Sequence, residues 1–572
     1  MMMQGLSYAS GPSQLPLLGM TVGAKFDQSC EQYADHDAVV SVAQGIRLTY
    51  RELQQQVDAF ACHLLALGLE KGDRLGIWAP NCAEWAITQF AAFKAGIILV
   101  NLNPAYKDYE LEYVLNKVSC KALVIATGFK KTDFQQVLTE LIPELNAVAT
   151  ADASSAHTAT ATQHKIIQSA RLPHLKHLIK IDSAAHAAIH RFSDLLSAPT
   201  AVQRQQLQTL AAALQFDDVI NIQFTSGTTG SPKGTMLTHH NILNNAFFAA
   251  ETMHFSQQDR VCIAVPLFHC FAMVIGNIAC MTHGACMVYP SAVFHPLETL
   301  EAIEQEKCTA AYGVPTMFIA ILEHEQFDQF DLSSLRTGVM GGSLCPGEIM
   351  QRVIDRMHMK DITICYGMTE TSPICTQSLS SDSLERRVNT VGKIHPHLEV
   401  KIVDEQGQIV PRGQLGEFCV RGYAVMLGYW DDPEKTAEAI DQGRWMHTGD
   451  IAEMDAEGYV RIKGRIKDVV IRGGENLYPK EIEDFLYTHP SVSDVQVVGV
   501  PDPRFGEELC ACIILHEQQQ TDLEAIRLYC KERIASNKVP RYVHFLHEFP
   551  MTASGKAQKF KLREMMCDIL NL

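Results

Sequence analysis

Apolar residues along RELQQQVDAFACHLLALGL (51–69) recur at helical spacing and predict an amphipathic helix. DRLGIWAP (73–80) follows and reads as a strand. EWAITQFAAFKAGIILVNLNP (84–104) reads as helix, glycine break and strand, and ELEYVLNKVSCKALVIA (110–126) repeats the alternation. Helices and strands taking turns predict a layered α/β fold with largely parallel strands. VINIQF predicts another strand, and HHNILNNAFFAA a helix with Thr238 as its N-cap. The most apolar stretch, CFAMVIGNIACM (270–281), is shorter than the ~20 residues a membrane span needs. It predicts a buried helix between His269 and His283.

The last hundred or so residues follow a different pattern. SVSDVQVVGV (491–500) and ELCACIIL (508–515) read as strands, and TDLEAIRLYCKERIASN (521–537) as a helix capped by Thr521. They predict a small α+β domain. Charge and glycine interrupt the strand pattern in KGRIKDVVIRGG (463–474), which places the boundary between a large domain, 1–464, and a small one, 465–572. VATADASSAHTATATQH (148–164) reads as a surface loop or insertion.

Composition narrows the classes. The chain has 572 residues, 47% hydrophobic and 20% charged, which suits a globular protein of at least two domains. A formal net charge of -17 argues against nonspecific nucleic-acid binding. The 17 cysteines include no CxxC pair, and no HExxH occurs, so zinc chemistry has no support. Most lie in apolar surroundings, as Cys262, Cys270 and Cys280 do, and read as buried thiols in a reducing compartment. MMMQGLSYASGPSQLPLLGM has no basic residue before Lys25 and so lacks the features of a signal or transit peptide. The expected location is the cytoplasm, with no transmembrane segment.

Candidate chemistry begins at FTSGTTGSPKG (224–234). No window fits GxxxxGK[ST], so this is not a Walker loop. The physics is still that of a phosphate cradle. Gly227 and Gly230 let backbone N–H groups turn inward, Thr225, Ser226, Thr228 and Thr229 add hydroxyls, and Lys233 adds a charge. A solvated Gly/Ser linker is the bland alternative.

TSGTTGSPKG resembles the phosphate-loop signature of the adenylate-forming superfamily, which includes acyl-CoA synthetases, peptide-synthetase adenylation domains and firefly-type luciferases. Further stations follow in the family's order, so the resemblance covers nearly the whole chain. In YGMTETSP (366–373) it implies that Tyr366 stacks near the adenine, Gly367 belongs to the ATP site, Thr369 meets the α-phosphate and Glu370 helps hold Mg²⁺. In MGGSLCPGE (340–348) it implies that Gly341, Gly342 and Ser343 line the adenine and acyl pocket; a close-packing turn is the alternative. WMHTGDIA (445–452) places Asp450 after a Thr–Gly turn, where its carboxylate would clamp the ribose hydroxyls. Arg465 would also reach the nucleotide, Lys467 would be the hinge, and Gly474 would let the backbone approach the CoA arm. A plain surface lysine remains the other reading of Lys467. Lys556, in PMTASGKAQK (550–559), resembles the catalytic lysine that neutralises charge between the carboxylate and the α-phosphate.

The implied reaction joins ATP and a carboxylic acid into an acyl-adenylate with loss of pyrophosphate, then transfers the acyl group to the CoA thiol. Lys556 serves the first step only, and rotation about Lys467 would rebuild the site for the second. PLFHCFAMVIGN (266–277) would wall the acyl pocket, with His269 at the catalytic centre and Phe271 and Met273 along the chain; ordinary core is the alternative. LGIWAPNCAEWA and VNLNPAYKDYELEYVL resemble the medium-chain fatty-acyl-CoA synthetase branch, which implies a medium or long straight-chain acid. Two rivals stay open: a fatty-acyl-AMP ligase loading a carrier protein, and a nonenzymatic acyl or nucleotide sensor. No insertion interrupts GRIKDVVIRGGENLYPKEIE, which favours CoA. The expected ligands are ATP, Mg²⁺, CoA and a fatty acid, and a homodimer is an allowed assembly.

Overall fold

The computed structural model describes residues 5–145, 166–181, 188–225, 232–342, 345–516, 519, 521–552 and 555–572. The Ala/Thr/Ser-rich stretch, 148–164, lies outside them.

Local chemistry sets the first elements. Thr49 and Glu52 form a capping box that starts the helix Tyr50–Ala66. Leu53, Val57, Phe60, Ala61 and Leu64 make its buried stripe, at three- and four-residue spacing. The helix Ala83–Lys94 is buried on every side, which is why its apolar residues show no clear stripe. The chain breaks at Ala95–Gly96 and enters the strand Ile98–Asn101, parallel to Arg74–Trp78.

Two large sheets carry the architecture. One has eight described strands in the order His190–Arg191, His177–Lys180, Ala122–Ile125, Arg74–Trp78, Ile98–Asn101, Val219–Thr225, Lys233–Thr238, Gly428–Tyr429. The other has nine, in the order Lys393–Ile394, Ile374–Gln377, Asp361–Gly367, Thr337–Gly341, Ala310–Gly313, Arg260–Ile263, Cys286–Tyr289, Asp37–Ser41, Ile46–Thr49. Parallel pairings run through both, and antiparallel strands close one edge of the first and both edges of the second. One continuous core holds Leu75, Ile77 and Leu99 of the first sheet, Val39, Val261 and Tyr312 of the second, and the helices Ala83–Lys94 and His239–Thr252. Thr238 caps the latter helix, accepting from the N–H of Asn241 at 3.1 Å.

A third, wholly antiparallel sheet was not legible in the alternation. It pairs Tyr8–Ser10, Leu398–Val403, Gly416–Gly422, Met446–Met454 and Val460–Arg465. After Arg465 comes a single 3-10 turn, Ile466–Asp468, and Val470–Arg472 already belongs to a fourth sheet. That sheet centres on Val492–Asp502 and Gly506–Leu515. The helices Pro479–Leu486 and Leu523–Lys531 contribute Ile482, Leu486, Ile526 and Cys530 to one core. The helix Lys559–Leu570 packs Leu562 and Met566 against Cys510 and Cys512 in another.

Three local expectations need correction. Asp522, not Thr521, caps the helix, accepting from the N–H of Ala525 at 2.8 Å. That helix is regular only to Lys531, because the chain must then turn through Ser536–Lys538 to reach the strand Tyr542–Phe545. The buried helix at 270–281 is three segments, with a π-helix, Met273–Ile278, in the middle. The Gln89 amide donates to the carbonyl of Met273 at 3.1 Å, supplying a partner outside the helix.

Glycines separate packing constraints from turn constraints. A Cβ on Gly338, within a central parallel strand, would fall 2.0 Å from the carbonyl oxygen of Ala311 on the neighbouring strand. A Cβ on Gly407, at φ +74, would meet nothing within 4 Å. Gly407→Ala should therefore cost only about 1 kcal/mol of backbone strain. Gly338→Ala should prevent stable folding, as judged by soluble yield and thermal unfolding. Equal melting temperatures for the two variants would contradict this packing.

Candidate active site

The strands Ala310–Gly313, Thr337–Gly341 and Asp361–Gly367 end side by side in the nine-stranded sheet. The carboxyl ends of parallel strands leave crevices for ligands, because connecting chains depart there from the sheet. Tyr366 leaves the last of these strands and donates to Asp450 Oδ2 at 2.5 Å. Its ring stands edge-on to Phe418, with centroids 5.4 Å apart. Gly367 follows, where only glycine fits, since a Cβ would come 1.7 Å from the carbonyl oxygen of Pro373.

Asp450 is not simply the residue after a turn. It lies within the strand Met446–Met454, beside a break in register with Gly416–Gly422. Gly449 takes φ +72 there. Glu417 fills the irregularity, accepting from the N–H of Gly449 at 3.1 Å and pairing with His447 Nδ1 at 2.7 Å. Thr448 donates to the carbonyl of Phe418 at 2.7 Å. Glu417, Cys419 and His447 are the one cluster of metal-type donors among the described residues. Both Glu417 oxygens already serve the bulge, so the group acts as a brace for Asp450. Burial pushes the pKa of Asp450 up, opposed by Arg465 and the Tyr366 hydrogen bond. Arg465 Nε stands 3.3 Å from Asp450 Oδ1, its side chain half in solvent.

Glu370, buried in the 3-10 turn Thr369–Thr371, is the second carboxylate. Its Oε1 accepts from the Tyr429 hydroxyl at 2.9 Å and from Thr225 Oγ1 at 3.4 Å. Thr225 ends the strand Val219–Thr225, and Lys233 opens its antiparallel partner. Lys233 Nζ donates to the Tyr429 oxygen at 3.1 Å. Ser226, Gly227, Thr228, Thr229 and Gly230, the loop between them, lie outside the described residues, as does Ser343.

The third wall comes from the far end of the chain. The N–H of Lys556 donates to Thr552 Oγ1 at 3.0 Å, and the N–H of Thr552 donates back to the Lys556 carbonyl at 2.7 Å. This closed turn docks on Val314, and Lys556 reaches a small apolar pocket walled by Val265, Pro266, His269, Phe271, Val314 and Gly342. Lys556 as a residue is half-buried, but its ammonium end is enclosed. Burial lowers its pKa below the usual lysine value, while Cys270, Asp450 and Glu370 pull the other way. Phe271 stacks on Tyr312 with centroids 5.7 Å apart and closes the pocket's apolar side. Gly341 packs against Cys365 beneath.

Cys270 and His269 resemble a nucleophile and its base, with Sγ 3.6 Å from Nδ1. Their electrostatics say otherwise. Burial pushes the Cys270 thiol up to about 11. Burial, then the Lys556 charge, pulls His269 down to about 3. Neither half of a thiolate–imidazolium pair is favoured. His269 Nδ1 accepts from the N–H of Phe271 at 3.1 Å, so the neutral ring carries its proton on Nε2. Cys270 Sγ also lies 3.6 Å from Thr369 Oγ1, as packing for that hydroxyl.

The described candidates Thr225, Lys233, His269, Phe271, Gly342, Tyr366, Gly367, Thr369, Glu370, Asp450, Arg465 and Lys556 therefore lie around one cleft, with Gly341 buried beneath it. Three others do not. Met273 is fully buried on the π-helix and is no part of the pocket wall. Lys467 is exposed on the 3-10 turn, and Gly474 on the hairpin between Val470–Arg472 and Glu475–Leu477. Sequence reasoning missed Tyr429, Val314, Tyr312 and the Glu417–His447 brace. No motif joins them to the site; only GYW (428–430) offered a signal, as an aromatic pair after a glycine.

Comparison with known proteins adds independent findings. The family model described as AMP-binding enzyme matches residues 26–430, and that for the AMP-binding enzyme C-terminal domain matches 481–556. The chain is 47% identical to a putative acyl-CoA synthetase, YngI, of Bacillus subtilis, over 97% of this chain and 99% of that one. It is 47% identical to a mitochondrial medium-chain acyl-CoA ligase, ACSF2, of Danio rerio, over 98% and 90% of the two. Among solved structures, the anthranilate CoA ligase AuaEII in complex with anthranoyl-AMP superposes with a TM-score of 0.83 at 28% identity, covering 98% of this chain and 99% of that one.

The Cys270 assignment is open to test. Iodoacetamide near neutral pH should alkylate half-buried Cys567 well before Cys270, as mapped by peptide mass. Prompt labelling of Cys270 would reinstate it as a reactive thiolate.

Proposed function

The chain belongs to the AMP-binding enzyme family, and from that premise we propose that it activates a medium-chain fatty acid as its CoA thioester. It is an AMP-forming acyl-CoA synthetase of the adenylate-forming superfamily, using ATP and CoA. The observation that carries the mechanism is Lys556. A residue near the end of the chain has its ammonium enclosed by His269, Val314 and Gly342, in the cleft that also holds Glu370 and Asp450.

In this reading Asp450 accepts from the ribose hydroxyls, with Arg465 beside it, and Tyr366 borders the adenine. Thr225, Lys233 and the loop 226–230 hold the β- and γ-phosphates. The fatty acid lies with its carboxylate at Lys556 and its chain against Phe271, Val265 and Pro266. A carboxylate oxygen attacks the α-phosphorus, and the bond to the bridging oxygen breaks as pyrophosphate departs with the electron pair. Negative charge builds between two anions, and the Lys556 ammonium and the Thr369 hydroxyl stabilise it. In the second step the CoA sulfur bonds to the acyl carbon, the bond to the AMP oxygen breaks, and the thiol proton passes to solvent. His269, neutral with its proton on Nε2, offers the acyl oxygen a donor throughout.

Hard oxygen donors suit a magnesium ion, and the Glu370 carboxylate with the Thr225 hydroxyl fits one shared with the phosphates. Such an ion would supply charge neutralisation to ATP. The two-step logic requires Lys556 to leave after adenylation. The short turn Ile466–Asp468 is the covalent link between the third and fourth sheets, so we place the hinge at Lys467, the boundary between domains at 464/465, and Gly474 at the CoA arm in the second arrangement. Medium chain length rests on the printed name of the Danio rerio relative, supported by the aromatic stack that closes the pocket. No described helix is long and apolar enough to cross a membrane. Free cysteines throughout support a reducing compartment such as the cytoplasm.

Lys556→Ala should reduce acyl-adenylate formation about 100- to 1,000-fold and largely spare thioester formation from supplied acyl-adenylate. Equal loss in both half-reactions would refute the rotation. The lysine must be charged to act and its pKa is lowered, so adenylation should fall as pH rises through a value below 10.5. Lys556→Arg should remove that alkaline limb. A panel of fatty acids with ATP, with and without CoA, should give AMP, pyrophosphate and acyl-CoA, peaking at medium length. Adenylate that never reaches CoA would point instead to a carrier-protein ligase.

A further inference from the structure

Lys233 and Glu370 are opposite charges on different elements, and one phenol stands between them. The Tyr429 oxygen accepts from Lys233 Nζ at 3.1 Å and donates to Glu370 Oε1 at 2.9 Å. Lys233 Nζ also lies 4.2 Å from the centre of the same ring. Tyr429 is 5% exposed, so these contacts are made away from bulk water.

The backbone fixes the bridge from both sides. The N–H of Met426 donates to the carbonyl of Glu370 itself at 2.9 Å. The N–H of Trp430 donates to the carbonyl of Gly234, next to Lys233, at 2.7 Å. Between them, Gly428–Tyr429 pairs as an edge strand with Lys233–Thr238, Tyr429 opposite Thr235. The N–H of Tyr429 is held by Thr436 Oγ1 at 2.9 Å. A strap of five residues thus ties the carboxylate's turn to the strand that leaves the phosphate loop.

We propose that Tyr429 is a positioning residue that keeps Lys233 and Glu370 from pairing directly, so that the lysine stays available for phosphate and the carboxylate for a divalent cation. The inference rests on the functional reading above. A direct ion pair would occupy both partners, and ATP with its cation would have to break it. The phenol satisfies each charge with one hydrogen bond and leaves each with capacity to spare. Lys233 has three N–H donors, and Glu370 Oε2 has no hydrogen-bond partner among the described residues.

Tyr429→Phe removes the oxygen and keeps the ring. Calorimetric titration of the full-length protein with ATP, with and without magnesium, reads the effect without turnover. In the wild type, magnesium should strengthen ATP binding. In Tyr429→Phe that enhancement should shrink about tenfold, the scale of one charge-assisted hydrogen bond. Glu370→Gln should lose the enhancement, and adding Tyr429→Phe to it should change little more. Tyr429→Phe should still unfold cooperatively, as thermal unfolding reads. An unchanged magnesium response in Tyr429→Phe would overturn this role and leave the ligase reading standing. Wild-type protein that binds no ATP would overturn both. A loss of ATP affinity equal with and without magnesium would reduce Tyr429 to general packing and also overturn the role.

Discussion

Lys233 and Glu370 face each other across a single phenolic oxygen, at 3.1 and 2.9 Å. The same constraint recurs across the cleft. Lys556, Arg465 and Lys233 bring positive charge, Asp450 and Glu370 negative, and none can be held so tightly by its opposite that a substrate cannot displace it. Buried ion pairs are hard to open, since each charge has given up its water. The cleft therefore relies on neutral intermediaries: Tyr429 between Lys233 and Glu370, and Tyr366 on one oxygen of Asp450. Arg465 approaches the other oxygen only at 3.3 Å and from a half-exposed position. Charge is concentrated for a polyanionic ligand without being cancelled beforehand.

The sheets make that arrangement durable. Tyr366 leaves a central parallel strand, flanked by partners that tolerate no displacement, as Gly338 against Ala311 illustrates. Asp450 belongs to a different sheet, and its placement depends on an irregularity braced by Glu417 and His447. Glu370 belongs to a turn, stapled through Met426 to the edge of the eight-stranded sheet. Three sheets that share no strand thus each deliver part of one cleft, and their common core keeps them in register.

Lys556 differs in kind. It arrives on a self-contained turn from the fourth sheet's domain, and that domain has its own cores. The contact of Lys556 itself with the large domain is local, at Val314, Gly342 and the His269 wall, while Lys480 separately donates to the carbonyl of Ile462 at 2.9 Å. A lysine placed this way can be withdrawn without disturbing the sheets that hold the nucleotide side. Cys270 and His269, on the large domain, are electrostatically quiet: the thiol is pushed up and the imidazole down. An adenylate in the pocket therefore faces no thiolate at Cys270.

The sequence alone determined most local elements and the chemical vocabulary of the site. Period and capping residues identify the helices at 50–66 and 239–252, because those signals act within a few residues. Contiguous motifs point to Thr225, Lys233, Tyr366, Glu370, Asp450 and Lys556, because a turn that must present several groups writes them side by side. Tertiary structure alone decided what those groups touch. Tyr429 is 59 residues from Glu370 and 196 from Lys233, and no period or motif links them. The π-helix at Met273–Ile278 depends on an amide from Gln89, 184 residues away, so an apolar run could only read as a plain helix. The antiparallel sheet at 398–465 escaped because two of its pairings carry bulges and because Met446–Met454, whose burial alternates cleanly, puts Thr448 and Asp450 at buried positions. Hydrophobic period is a local record of one buried face; partners brought together by the packing of separate sheets leave no such record.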